Sequence, residues 1–315
     1  MSNVRLVLAG AALAALLASC APEAPAGSAE GGAPEEAGAA GNLPGSVFER
    51  AVVFVAADGD STLIVPWLFT SRTKPGGVDR SARAWLERGG EWEPFFEESW
   101  ESEPTRVPWR LHPHGALRLV MADGEALEAV VFEGGPRRLE VALGAPRGEW
   151  NGSQGETYIV AEGAAILADR RMPGLVLDLA RARRGESQPA GDWMFLTSGD
   201  SIQVVLSGTD ARGVGPFEGW GRVQSQPEIR WPDVTVSWVE TRAFEEARRE
   251  VPVRWRFAAG NGGMAGDLVA RATHIEAGEG EGPLLPVDAL FEVSGTLRLG
   301  ATSYPVRGLV RHVQR

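Results

Sequence analysis

The chain has 315 residues, 43% of them apolar and 23% charged, with a net charge of -11 and one cysteine. The length allows two ordinary domains beyond a leader, and the acidic balance argues against nucleic acid or anionic headgroups as the main partner, since both need a basic footprint. A single cysteine leaves no thiol pair for a disulfide and too few thiols for a cysteine-based zinc site. The first element in chain order is a short positive N-terminus with Arg5, followed by an apolar stretch from Leu6 to Leu17 and the run Leu17-Ala18-Ser19-Cys20. These are the three parts of an export signal.

Leu17 to Cys20 resembles the lipobox of bacterial lipoproteins. The resemblance implies that the sulfur of Cys20 is acylated, that residues 1–19 are removed as a signal peptide, and that the new N-terminus is fixed in a lipid leaflet, making the membrane a partner. Several acyl chains anchor a protein stably, at about 0.8 kcal/mol per buried methylene, where one holds it only marginally. An apolar stretch of about a dozen residues is shorter than the roughly 20 that span hydrocarbon, which disfavours a retained transmembrane helix. An ordinary secretory signal is the other alternative, with Ala18 and Cys20 as small residues at its cleavage site. Residue 21 is Ala rather than Asp, which favours the outer over the inner membrane of a two-membrane envelope.

Residues 20–44 are Ala, Gly, Pro, Glu and Ser with almost no large apolar side chain. Such a stretch cannot offset its ordering entropy and reads as a disordered tether, extended further by the unpaired Glu23, Glu30, Glu35 and Glu36. The body from Gly45 onward carries 30 basic against 38 acidic side chains, and Lys74 is its one lysine.

In the body, short runs at 50–56, 62–69, 116–122, 138–143 and 158–167 read as strands separated by turn signals such as Asp58-Gly59, Asp123-Gly124 and Gly134-Gly135. Further runs at 192–197, 202–206, 234–239, 251–258, 267–275, 291–299 and 305–313 repeat the style, with Asn261-Gly262-Gly263 as another turn. Only 78–88 and 241–249 carry a helical pattern. Three landmarks recur in order. The hairpin sequence from Phe54 to Ser61 is echoed from Phe195 to Ser201, and Val107-Pro108-Trp109-Arg110 is echoed by Val251-Pro252-Val253-Arg254. The strand glycines Gly163 and Gly174 are echoed by Gly295 and Gly308. These recurrences point to two related halves. The predicted fold is all-β, two tandem antiparallel barrel or sandwich domains with few short helices, the first at 45–185 and the second at 186–315.

The duplication, the Tyr158–Gly163 segment leading to the Gly174 strand, Trp193 opening the second half and the closing segment 291–311 resemble the tandem lipocalin-like group of carotenoid hydratases and AttH-type proteins. The resemblance covers about 270 residues. It implies two lipocalin-like domains and, by extension, hydratase chemistry. In that group the first domain ends in an Asp-His pair, whereas the comparable position here is Asp178-Leu179.

Few residues remain as candidates for chemistry. Asp178, in the apolar run Leu175-Val176-Leu177-Asp178-Leu179, and Glu162 are carboxylates that an apolar pocket could turn into general acids. Alternation puts Asp178 on the face of Val176, so it points outward if Leu175, Leu177 and Leu179 face the core. His112-Pro113-His114 reads as a loop after a Trp109 strand rather than a metal site, which needs three or four protein ligands, and His274 and His312 read as hydrogen-bonded or edge residues on strands. No Gly-x-Ser-x-Gly elbow, His-Glu-x-x-His pair or phosphate loop is present, and nothing calls for a cofactor or metal. Of eleven tryptophans, Trp109, Trp193 and Trp255 are candidates for the wall of a ligand pocket. The leading expectation is a lipid-anchored envelope protein that binds an apolar small molecule, lipid or terpenoid-like. The alternatives are a hydratase or isomerase of the carotenoid hydratase type and a non-enzymatic envelope scaffold.

Overall fold

The computed structural model describes residues 45–58, 61–123, 126–183, 191–208, 215–224, 226–260 and 262–315. The signal peptide, Cys20 and the tether lie outside the described residues, as does the 184–190 connection between the two halves. The described residues of the first half form β1 (Val47–Asp58), β2 (Ser61–Lys74), β3 (Gly77–Arg88), β4 (Glu91–Ser102), β5 (Leu117–Met121), β6 (Leu127–Gly134), β7 (Arg137–Asn151), β8 (Thr157–Leu167) and β9 (Arg170–Arg183). All neighbours in the resulting nine-stranded sheet, β4-β3-β2-β1-β9-β8-β7-β6-β5, are antiparallel. The second half contributes β10 (Trp193–Thr197), β11 (Ile202–Gly208), β12 (Gly215–Val223), β13 (Ile229–Phe244), β14 (Arg249–Ala259), β15 (Met264–Ala277), β16 (Val287–Leu299) and β17 (Thr302–Gln314). These close into an eight-stranded barrel through the pairing of β10 with β17.

The first sheet is open in its hydrogen bonds but closed by its side chains. Phe95 and Phe96 of β4 meet Phe132 of β6 with ring centroids 5.2 and 5.4 Å apart. Arg137 lies 4.3 Å over the Phe95 ring and donates to the Phe95 carbonyl at 2.6 Å. The concave face so enclosed is filled by Phe54, Val65, Trp67, Leu86, Leu139, Val176 and their neighbours. Buried Arg80 donates to Ser71, Ser102 and the carbonyls of Pro108 and Arg110, tying down the connection after β4.

Both predicted helices are corrected. Residues 78–88 are strand β3, and 241–249 are the end of β13, a turn and the start of β14. In β3 the apolar residues fit a helical spacing because both faces are covered: Ala82, Ala84 and Leu86 face the concave core while Trp85 faces the barrel. Tertiary burial of both faces overrides the helix-forming Ala, Arg and Leu.

The matched glycines do matching work in the two halves. A Cβ on Gly174 would stand 2.5 Å from the Val55 carbonyl, and one on Gly308 would stand 1.8 Å from the Phe195 carbonyl. In each half the last strand thus presses a glycine onto the first strand, as β9 on β1 and β17 on β10. The middle landmark differs: residues 107–110 form a turn closed by Arg110 N–H to the Val107 carbonyl at 3.1 Å, whereas 251–254 lie within β14.

The halves pack the outer face of the first sheet onto the outer wall of the barrel. Val53, Leu68, Trp85, Tyr158, Leu175, Leu177 and Leu179 meet Trp193, Phe195, Val205, Leu290 and Leu309. Trp150 lies between Tyr158 and Trp220, stacked on each at 4.5 Å. Such pairs stabilise by about 1 kcal/mol beyond their buried area.

Candidate functional site

Two strands that face each other across this interface carry the site. On β3 the side chains Arg83, Trp85 and Glu87 leave the sheet toward the barrel, and on β16 Asp288, Leu290 and Glu292 point outward while Ala289, Phe291 and Val293 fill the barrel. The rungs match in order. Arg83 donates at 2.8 Å to Asp288, which also accepts from Arg311 at 3.0 Å, and Arg83 reaches Glu276 at 2.8 Å. Trp85 and Leu290 share the apolar cluster. At the third rung Glu87 faces Glu292, so two carboxyls meet where the first rung has opposite charges.

Glu87 is fully buried and Glu292 is 8% exposed. Burial pushes the Glu87 carboxyl up to about 7; the Gly90 N–H, at 2.9 Å from Oε1, holds it back, and the Glu292 carboxyl raises it further. Oε2 of Glu87 has no donor facing it among the described residues. A proton on Glu87, favoured by its burial, would supply a donor between the two carboxyls. Glu292 is the member that reaches a cleft of about 400 Å³, whose walls include Thr62, Gly89, Gly90, Arg271, Ser294 and Arg307. Arg271 donates to Ser294 at 2.5 Å and Arg307 to Thr62 at 3.4 Å.

The carboxylates singled out in the sequence lie elsewhere. Asp178 does not point outward: Leu175, Leu177 and Leu179 face the barrel, and Asp178 is 4% exposed on the concave side of the first sheet. Arg50 grips it with two hydrogen bonds, Nε to Oδ1 at 2.7 Å and Nη2 to Oδ2 at 2.5 Å. Burial opposes the charge of Arg50, and Asp178 more than restores it. With both oxygens accepting from one guanidinium, this carboxyl is built into a structural pair rather than aimed at a substrate. Glu162 is exposed, paired to Arg147 at 3.1 Å, and borders a cleft of about 460 Å³ with Gly163, Gly174 and Thr197.

The tryptophans separate as well. Trp109 sits half-buried in a turn, not on a strand, against Phe48 at 5.9 Å. Trp193 is buried between the halves, on the outside of the barrel. Trp255 points into the barrel and is packed edge-on against Phe291 at 5.1 Å. The barrel interior around it is filled by Met194, Leu196, Leu206, Phe217, Trp231, Phe257, Leu268 and others.

The histidines are placed as the sequence reading expects. His112 and His114 lie in a loop, with His114 stacked on Trp100 at 4.5 Å. His274 bonds Glu276 at 2.8 Å, and His312 bonds Asp192 at 2.6 Å. Sequence reasoning missed Glu87 and Glu292. The first lay in a supposed helix; the second carried a usable signal, an acid inside the apolar run Ala289-Leu290-Phe291-Glu292-Val293.

An all-β pair of lipocalin-like units, one curled sheet and one closed barrel, with a buried acid pair where they meet, is the class these features define. Its likeness lies among solved structures. The fold matches a protein of Nitrosomonas europaea described as an AttH candidate, at 12% identity over 94% of this chain and 99% of that one, with a TM-score of 0.58. It also matches kievitone hydratase of Nectria haematococca, at 12% identity over 88% of this chain and 92% of that one, with a TM-score of 0.53. At such identities the likeness is one of fold. No family model and no curated protein matches the sequence.

Proposed function

We propose that the protein is a hydratase or double-bond isomerase of the cell envelope that uses Glu87 and Glu292 as its acid–base unit. The observation that carries the reading is the acid pair: two buried carboxyls, one pushed up to about 7, with the outer one reaching a cleft between the halves. A general acid works best with a pKa near the operating pH. In hydration the shared proton passes from the pair to one carbon of the substrate's double bond. Water adds to the other carbon, and the proton it loses returns to the pair, so one water is consumed and the pair is regenerated. Arg271, Arg307, Thr62 and Ser294 make this cleft polar, which fits an alkene that also carries oxygen substituents. The fold shared with a hydratase supports the reading at the level of architecture.

The lipobox-like run that ends at Cys20 and the polar stretch after it support a lipid anchor that would hold this activity at a membrane surface, the outer membrane favoured. An apolar ligand carried inside the barrel is the weaker reading, because the interior is occupied by side chains. The test is incubation of the protein with lipid and terpenoid extract of its host in ¹⁸O-labelled water. The expected result is products heavier by one labelled water, formed by the native protein and lost at least about 100-fold in Glu292→Gln. Product profiles that do not differ between Glu292→Gln and the native protein would sink the proposal.

A further inference from the structure

A second polar cluster lies where the turn between β7 and β8 meets the β11–β12 wall of the barrel. Glu156 ends that turn, which is closed by the Gly152 N–H to the Glu156 carbonyl at 2.8 Å. On the barrel Ser207 and Glu218 are cross-strand partners. Consecutive backbone amides bring the two acids together: the Ser153 N–H donates to Glu218 Oε2 and the Gln154 N–H to Glu156 Oε2, each at 3.1 Å. Both acids line a cavity of about 10 Å³ with Trp150, Tyr158, Val205 and Ser207. It has room for one ion or one water.

The groups around this cavity lack the partners that burial demands. Glu156 and Ser207 are each 7% exposed, and Ser207 Oγ has no hydrogen-bond partner among the described residues. No basic side chain of the described residues pairs with either carboxylate. Burial pushes the Tyr158 phenol well above its ordinary range and the Glu156 and Glu218 charges add to the rise. Arg181, and the Ser207 hydroxyl close by but outside hydrogen-bond geometry, only partly offset them. The phenol is therefore neutral and near both carboxylates. Arg181 itself is engaged elsewhere, donating to the Gly191 carbonyl at 3.1 Å and standing 3.9 Å from Glu49. Buried negative charge is ordinarily matched by a cationic side chain or by a metal ion.

We infer that this cavity binds calcium and that the ion clamps the sheet to the barrel, Glu156 coming from one half and Glu218 and Ser207 from the other. Every donor is an oxygen, the set that hard divalent cations take. Two carboxylates match the charge of the ion. Among the described residues no three acids or histidines converge, so water entering past half-buried Glu218 completes the shell. Calcium accepts irregular shells of about six to eight oxygens, whereas magnesium demands a near-ideal octahedron, so the site suits calcium. With only two carboxylates the expected dissociation constant is roughly 0.1–1 mM.

The inference is independent of the acid pair and is tested by binding, not turnover. The full chain, freed of divalent ions with a chelator, is titrated with terbium, whose emission is excited through neighbouring aromatic rings such as Tyr158 and Trp150, and then with calcium or magnesium as competitor. Calcium displaces the terbium and raises the unfolding temperature, and magnesium at the same concentration does much less of either. Glu218→Gln keeps an acceptor for the Ser153 N–H, so the chelated variant unfolds at the usual temperature or above, but it binds calcium at least about tenfold more weakly. Ser207→Ala weakens binding severalfold. No terbium emission that calcium displaces, an equal response to magnesium, or calcium affinity unchanged in Glu218→Gln overturns the inference and leaves the cavity to an ordered water.

Discussion

At Glu87 the energetics can be followed through a single proton. Its folded pKa of about 7 stands above the ordinary 4.5, so between those values the folded state binds more protons than the unfolded chain. The stability this provides is complete below about 4.5 and is lost as pH rises through 7, an effect on the order of 3 kcal/mol. Glu87→Gln keeps an acceptor for Gly90 N–H and offers a permanent donor to Glu292. It is expected to stabilise the protein at pH 8 by about 1–3 kcal/mol and to change it little at pH 4.5, as urea unfolding at the two values will show. Asp178 is a different case, a buried carboxylate gripped by Arg50. Asp178→Ala leaves Arg50 unpaired and is expected to cost about 3 kcal/mol, whereas replacing both partners by Leu and Met recovers most of the loss. The double-mutant cycle, read by unfolding, checks this. Sequence alone marked Asp178 because it interrupts an apolar run. Glu292 interrupts a similar run, but no sequence pattern tells which of two buried acids meets an arginine and which meets another acid.

Among the elements, short apolar runs bounded by turn residues read as strands at β1, β2, β8, β10 and β11, whereas β3 read as a helix and β4, β6 and β12 were missed. The β2 and β8–β9 regions were legible from short apolar runs and turn residues, and the glycine pairs 163/174 and 295/308 marked the equivalent ends of the two halves before any contact was visible. β3 was misread because a strand covered on both sides loses its period of two and imitates a helix. The middle landmark misled for another reason: Val-Pro within 107–110 serves a turn and within 251–254 a strand, and proline at a strand's edge is compatible with both. The glycine argument gives a direct test. In Gly308→Ala the new Cβ meets the Phe195 carbonyl, and relief requires β17 to move off β10, the pair that closes the barrel. The expected loss is about 3 kcal/mol or more by urea unfolding. Gly45→Ala, with nothing within 4 Å, strains only its positive φ and should cost about 1 kcal/mol.

For the whole molecule the question is what holds sheet to barrel, and β3 against β16 gives two answers with opposite pH dependence. Burial works against the Asp288 carboxylate, but Arg311 and Arg83 outweigh it and hold its pKa at about 2. Its contribution is complete above the ordinary 3.8 and is lost as pH falls through 2. The acid rung contributes fully below 4.5 and fades as pH rises through 7. Both rungs are therefore whole together only near pH 4, and at neutral pH and above the halves rely on the ion pairs, the Trp150–Trp220 stack and the apolar cluster between them. The interface is expected to loosen at the acid end while Arg83 still binds Asp288 at the other. Hydrogen exchange at pH 5 and pH 8, corrected for intrinsic rates, should show amides of β3 near Glu87 and Gly90 losing protection at the higher pH while those near Arg83 keep it. Glu87→Gln should abolish the difference, because an amide donor does not titrate. Uniform loss along β3, or a difference that survives in Glu87→Gln, would mean that the carboxyl pair does not govern the contact between the halves.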